Sequence, residues 1–399
     1  MVTAASEKLF FNQAFDPKNA DHVLAAFSVR IGLEIGEGEA SARLTMEAVR
    51  SHMRILTGVV GRLLVTTSPS EPMLAIAAAD ALNASNGTYR QAVETLLDKL
   101  ILRGLILDRG LQGELYSRLL LMIARDKVTT RNGSYLKNDP TSMAPIVQAA
   151  PLSQFLQTLL GDNLGIPDAP SIIPSPNNSP YKLRNKLLDE TSNVWINFTH
   201  FIVLSKPIHE VTLSMLFEAW SSGFAFQCAF NQPVIDGLIV AYFGELDKPF
   251  NVSQLFVIPW QTKARSEAAN LALSRQLTAP FLATSTPVRR KPEHLVILMD
   301  LGATSAFGSA KGPHCDLTFG KAEHPAGKGG RWDGYARSNE VEGDRYCLNI
   351  RGHGSHVYPV LQGFEERFDQ LFQRSLACAK PEFVPFVEMM EQAMDRVKL

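Results

Sequence analysis

Apolar residues recur every three or four positions through most of the first 160 residues, a spacing that gathers them on one side of an α-helix. The pattern predicts helices over about 17–32, 39–63, 70–84, 88–104 and 111–126. In the fourth of these, Val93, Leu96, Leu97, Leu100 and Leu102 carry the stripe, with Gly87 before it and Gly104 placed to end it. Five prolines (Pro167, Pro170, Pro174, Pro176 and Pro180) then punctuate residues 163–182. Proline fixes φ and removes a backbone donor, so this segment predicts an extended connector. Beyond it the periodicity changes. A helix over 209–221 is followed by apolar runs that predict strands over 224–230, 234–243 and 254–264, an alanine-rich helix over 265–277, and a strand over 294–302. Residues 304–340, dense in Gly, Ser and Lys, read as a long loop. Two closing helices are expected over 357–376 and 383–397, the first with Leu361, Phe364, Phe368, Leu371 and Phe372 on one face.

The predicted fold class is therefore α/β: a helical module over 1–162, a proline-rich linker over 163–182, and a mixed-sheet domain over 183–399 with an α-β-β-β-α-β core and C-terminal helices. The 399 residues suffice for such an arrangement at about 150 residues per domain. With 45% apolar and 20% charged residues, the composition is that of an ordinary globular protein. A formal net charge of −1 gives the whole chain no field that would gather polyanions, yet residues 261–360 carry 13 Lys and Arg against 9 Asp and Glu. That local excess favours a nucleic-acid partner. Four widely spaced cysteines form no CxxC, which argues against a disulfide framework or a zinc ribbon. The N-terminus builds no apolar signal core and no run approaches about 18 apolar residues, so an intracellular protein, nuclear or cytoplasmic, with no membrane association is expected.

Chemistry concentrates on the second and third strands of the core. Asp236 lies in VIDGLIVAYF, and LFVIPWQTKA ends in Gln261-Thr262-Lys263. Side chains alternate along a strand, so Gln261 and Lys263 share a face. The intervening segment 244–253 predicts a hairpin that returns them beside Asp236. A carboxylate and a side-chain oxygen on neighbouring strands suit Mg²⁺ or Mn²⁺, which take hard oxygen ligands, and a lysine two positions on can orient water and stabilise charge on a phosphoryl group. Gln261 is neutral and binds a cation more weakly than a carboxylate, while Pro259 removes a donor from a strand expected to be central. On the preceding helix Leu213, Leu216, Phe217 and Trp220 form the apolar face, and Glu218, roughly opposite, is a candidate further ligand or an ordinary solvated charge.

Asp236, the Gln261-Thr262-Lys263 triplet and the α-β-β-β-α-β order resemble the PD-(D/E)xK restriction-endonuclease-like superfamily, with the triplet in a QxK form. The resemblance implies a Mg²⁺-dependent nuclease acting on DNA or RNA, with Asp236 the principal metal ligand, Gln261 a weaker one, Lys263 the charge-stabilising group and Glu218 a candidate ligand. Gln227, Asn231, Gln232, Arg265 and the run Arg289-Arg290-Lys291 are candidate nucleic-acid contacts. The stretches FEAWSSGFAFQCAFNQPVIDG, LFVIPWQTKA, VILMDLG and YCLNIRGH further resemble a lineage-expanded set of fungal proteins of the Crinkler and retrotransposon-hotspot type. That likeness implies that residues 1–162 correspond to the helical tail of an ATPase module, a surface for a protein partner. It also implies roles as effectors or in mobile elements. A different reading of the same residues is a degenerate nuclease fold that binds nucleic acid or protein without cutting.

Competing constellations are weaker. His353 and His356, with His314, Cys315 or Cys347, offer zinc donors at a spacing that matches no strong pattern. Ser355 lies between the two histidines, yet a GxSxG elbow is missing. Arg331, Trp332, Tyr335 and Arg351 mix groups that stack on bases with groups that pack a loop.

Overall fold

The computed structural model describes residues 2–33, 46, 55–60, 63–67, 71–98, 109–132, 149–164, 180–204, 206, 208–228, 235–263, 294–301, 314–321 and 344–368. Two helices open the chain, α1 (Val2–Leu9) and α2 (Ala20–Ile31). The Asn19 side chain accepts the Asp21 N–H at 2.9 Å and starts α2, and Gly32, at φ 56°, ends it. Helices α3 (Pro72–Leu82) and α4 (Asn86–Leu96) follow the expected stripes, α4 capped by the Ser85 hydroxyl on the Thr88 N–H. Helix α5 (Arg109–Asn132) is the longest among the described residues.

The helix expected over 39–63 is corrected at its C-terminal end. Strands β1 (Ile55–Val60) and β2 (Leu63–Thr67) pair antiparallel instead. The segment ILTGVVGRLLVTT is rich in β-branched residues and carries Gly58 and Gly61, which disfavour helix and suit paired strands.

The remaining elements build a nine-stranded mixed sheet. In chain order they are β3 (Ala150–Pro151), α6 (Leu152–Leu160), α7 (Pro180–Glu190), β4 (Val194–Ile196), β5 (His200–Val203), α8 (Leu213–Ser222), β6 (Phe224–Gln227), β7 (Gly237–Phe243), β8 (Leu255–Lys263), β9 (His294–Asp300), β10 (His314–Lys321) and β11 (Asp344–Arg351). The spatial order is β10-β11-β9-β8-β7-β4-β3, with β6 also paired to β7 and β5 to β6. Strands β6, β7 and β8 run antiparallel in succession, whereas β8, β9 and β11 are parallel to one another. A parallel pair needs a crossover, and residues 264–293, where the sequence predicts a helix, lie outside the described residues. Pro259 sits opposite Leu238 of β7, and the ladder to β9 begins one residue later, at Trp260↔Ile297. The missing donor therefore falls where no β9 partner is paired.

The two faces of the sheet bury different layers. Ile239 and Ala241 of β7, Phe256, Ile258 and Trp260 of β8, Leu295, Ile297 and Met299 of β9, and Leu301 just after it join one apolar cluster with α2, α5 and α6. Leu238, Val240 and Tyr242 of β7 and Leu255 and Val257 of β8 join a second cluster with Leu216, Ala219 and Trp220 of α8. The fold is mixed α/β with helices on both faces. The helices expected as a separate N-terminal module share a continuous core with the sheet, and β3, on the N-terminal side of the proline-rich segment, pairs with β4 on its far side. A buried ion pair reinforces that junction: Arg30 of α2 holds Asp126 of α5 through two bonds of 2.7 and 2.9 Å, and its Nε donates to the Thr199 carbonyl at 2.9 Å. Among the described residues, no helix is long and apolar enough to cross a membrane.

Candidate functional site

Asp236 immediately precedes β7, and its backbone is held from both sides. Its N–H donates to the Trp260 carbonyl at 3.0 Å, and its own carbonyl accepts the Cys228 N–H at 2.8 Å. The next residue has to be glycine. A Cβ at position 237 would lie 2.4 Å from the Trp260 ring and 2.5 Å from the Phe226 carbonyl oxygen, well inside van der Waals contact. The close crossing of β6, β7 and β8 thus fixes Asp236 at the mouth of the β7–β8 pair.

Strand β8 overhangs β7 there, leaving the Thr262 N–H beyond the last β7 partner. The Asp236 carboxylate takes that place, accepting the Thr262 N–H through Oδ2 at 2.5 Å. Gln261 and Lys263, the residues flanking Thr262, are half-buried on the face that carries α8, while Thr262 turns to the other face with Trp260. Asp236, Gln261 and Lys263 are therefore brought together at one end of two adjacent strands, as their spacing predicts.

Burial pushes the Asp236 carboxyl up from an ordinary 3.8 to about 6. The Thr262 N–H, the Lys263 ammonium, the Arg118 guanidinium and the Thr262 side chain pull the other way, and burial outweighs them. Arg118 belongs to α5 and is itself buried, so the helical layer contributes charge to this end of the sheet. A charge set in the apolar run LYSRLLLMIARD was the signal for it in the sequence.

Other predicted residues are placed elsewhere. Glu218 is exposed on α8, opposite the Leu216, Ala219 and Trp220 face that meets the sheet, and the structure does not bring it to Asp236. Gln227, expected as a nucleic-acid contact, is corrected: at 1% exposure it lies at the end of β6 on the other face of the sheet, with its Oε1 beside Gly32 at the end of α2. Polar termini of strands look alike in sequence whether they meet solvent or a helix layer, which is why the two were confused. Asn231, Gln232, Arg265, Arg289, Arg290 and Lys291 lie outside the described residues. Of the zinc candidates, Cys315 faces the helical layer while Cys347 has the opposite parity to the core residues Tyr346, Leu348 and Ile350. His353 uses its Nδ1 on the Leu301 carbonyl at 2.9 Å.

Among the described residues, no group of three or more His, Cys, Asp or Glu is placed to hold a metal ion. Mg²⁺ asks for less, since it commonly keeps several waters and takes one or two carboxylates. A carboxylate offers about four lone-pair positions, and the Thr262 N–H occupies one of those on Asp236. The Asp236 carboxylate and the Gln261 amide oxygen thus fit a weakly held, hydrated divalent cation. No family model matches the chain, and neither does any curated protein or solved structure.

Proposed function

We propose that the chain hydrolyses phosphodiester bonds of DNA or RNA with Mg²⁺ or Mn²⁺, as a divergent member of the PD-(D/E)xK restriction-endonuclease-like superfamily. The observation that carries this reading is the convergence of Asp236, Gln261 and Lys263 where β7 and β8 meet. It is supported by the order α8-β6-β7-β8-β9 and by the parallel pairing of β8 with β9. Asp236 would hold the cation, with the Gln261 carbonyl as a weaker partner. A bound Mg²⁺ supplies polarisation of the phosphoryl oxygen and a lowered pKa for the attacking water. Lys263, two residues beyond Gln261 on the same face, offers a positive charge to the phosphoryl group as negative charge develops there.

One observation favours a second reading, in which the fold binds nucleic acid or protein without cutting. Asp236 already serves the backbone as the acceptor for Thr262, and the residue paired with it in the site is a neutral amide. The two readings part on a Gln261→Glu variant assayed for Mg²⁺ affinity and for cleavage of single- and double-stranded DNA and RNA. The catalytic reading expects metal-dependent cleavage by the wild type and tighter metal binding in the variant. If neither protein binds metal or cleaves, the binding-module reading replaces it.

A further inference from the structure

Four large apolar side chains stand exposed at the end of β7 opposite Asp236. Leu213 and Phe217 lie one turn apart on α8, outside the Leu216, Ala219 and Trp220 face that meets the sheet, and are 37% and 44% exposed. Leu246 and Phe250, on the connection 244–254 between β7 and β8, are 47% and 39% exposed. The two elements meet: the Phe217 and Phe250 ring centroids are 5.8 Å apart, and Phe250 stacks on Tyr242 at 4.6 Å and on Trp220 at 6.1 Å. Polar contacts hold the connection in this shape. The Trp195 Nε1 donates to the Gly244 carbonyl at 2.9 Å, the Lys248 ammonium donates to the Glu245 carboxylate at 2.7 Å, and the Asn251 side chain accepts the Ser253 N–H at 3.0 Å. Singly scattered exposed apolar residues need no explanation, whereas a preformed group drawn from two elements marks a contact surface.

We propose that this face of α8 and the β7–β8 connection docks a short basic amphipathic segment of a protein partner, with two or three apolar side chains flanked by Lys or Arg. Charge sets the sign of the partner. On residues 213–222 and 244–254 the charged side chains are Glu218, Glu245, Asp247 and Lys248, all exposed: three carboxylates against one ammonium, a net of −2. That balance repels a phosphate backbone and attracts Lys and Arg. Area sets the size. At about 200 Å² for a large apolar side chain, these exposures leave roughly 300 Å², less than half of the about 800 Å² that each partner buries in a stable complex. A second copy fits neither argument, since an isologous contact would also set the same carboxylates against one another. The surface lies away from Asp236 and does not depend on the metal-site reading.

The test is fluorescence anisotropy of two labelled model peptides titrated with the full chain, amphipathic helices of about 15 residues built from Leu with Lys and from Leu with Glu. The Leu/Lys peptide is expected to bind the wild type at least tenfold more tightly than the Leu/Glu peptide. Leu213→Ala with Phe217→Ala lowers its affinity at least tenfold. Glu218→Lys with Asp247→Lys reverses the order of the two peptides. All four positions are exposed, and thermal unfolding at the wild-type temperature establishes that each variant is folded. Absence of Leu/Lys binding, equal binding of the two peptides, or binding that either pair of substitutions leaves unchanged overturns the proposal. So does a single-stranded oligonucleotide whose binding the alanine pair abolishes, or a wild-type dimer in sedimentation that the alanine pair dissociates, because the occupant is then nucleic acid or a second copy.

Discussion

Replacing Asp236 by asparagine should stabilise the metal-free protein at neutral pH while removing its metal ligand. The folded chain raises this carboxyl from an ordinary 3.8 to about 6, chiefly through burial. A carboxylate raised in this way contributes stability that is fully present below about pH 3.8 and lost as pH rises through 6. At about 1.4 kcal/mol for each factor of ten, the loss is at most about 3 kcal/mol by pH 7. Asparagine is isosteric, can still accept the Thr262 N–H through its carbonyl oxygen, and has no charge to desolvate. The melting temperature of Asp236→Asn, in EDTA, should match that of the wild type near pH 4 and exceed it at pH 7.5. At roughly 1–2 °C per kcal/mol for a chain of this size the gain is about 3–6 °C. His200, which burial pushes down to about 3, erodes stability as pH falls below about 6.5. It does so equally in both proteins and cancels from the difference. A difference that stays flat from pH 4 to 8, or a variant less stable than the wild type at pH 7.5, would refute the claim that Asp236 is held at an energetic cost. With saturating Mg²⁺ the wild type should recover the deficit, because the cation favours the charged form.

Three further outcomes follow from the same contacts. Asp126→Ala leaves Arg30 and Arg125 in the core without their shared carboxylate, and chemical denaturation should show a loss of about 3–5 kcal/mol. Gly237→Ala drives a methyl into the Trp260 ring and the Phe226 carbonyl, so unfolding should show a loss of about 1–3 kcal/mol or more. Because Asp236 is anchored to the same strands, that variant should also bind Mn²⁺ less tightly. Lys263→Gln should leave Mn²⁺ affinity within about threefold of the wild type yet lower the cleavage rate by about 10²-fold or more, since its role is assigned to the phosphoryl group.

Local pattern carried β6 to β9 and missed β3, β4 and β5, as well as β10, which lies inside the stretch 304–340 read as a long loop. The apolar runs around 237–243 and 255–263 became β7 and β8, and the alternation that sets Gln261 and Lys263 on one face follows from the backbone alone. What periodicity could not convey was pairing between distant segments. Ala150 opposite Ile196, and Asp300 opposite Lys263, are set by the register of whole strands. The influence of Arg118 on Asp236 likewise depends on α5 packing against the far face of the sheet. The stretch 55–67 misled for a different reason. Short apolar runs fit a helix stripe and a strand alike, and its β-branched residues and glycines were the cue that outweighs spacing.

The most direct test of the central claim is a cleavage assay comparing purified wild type with Asp236→Ala and Lys263→Ala on single- and double-stranded DNA and RNA, in Mg²⁺, Mn²⁺ or EDTA. The account predicts cleavage of at least one substrate class by the wild type, abolished by EDTA and by either substitution in folded protein. Wild-type cleavage no greater than that of the two variants in any metal would contradict it.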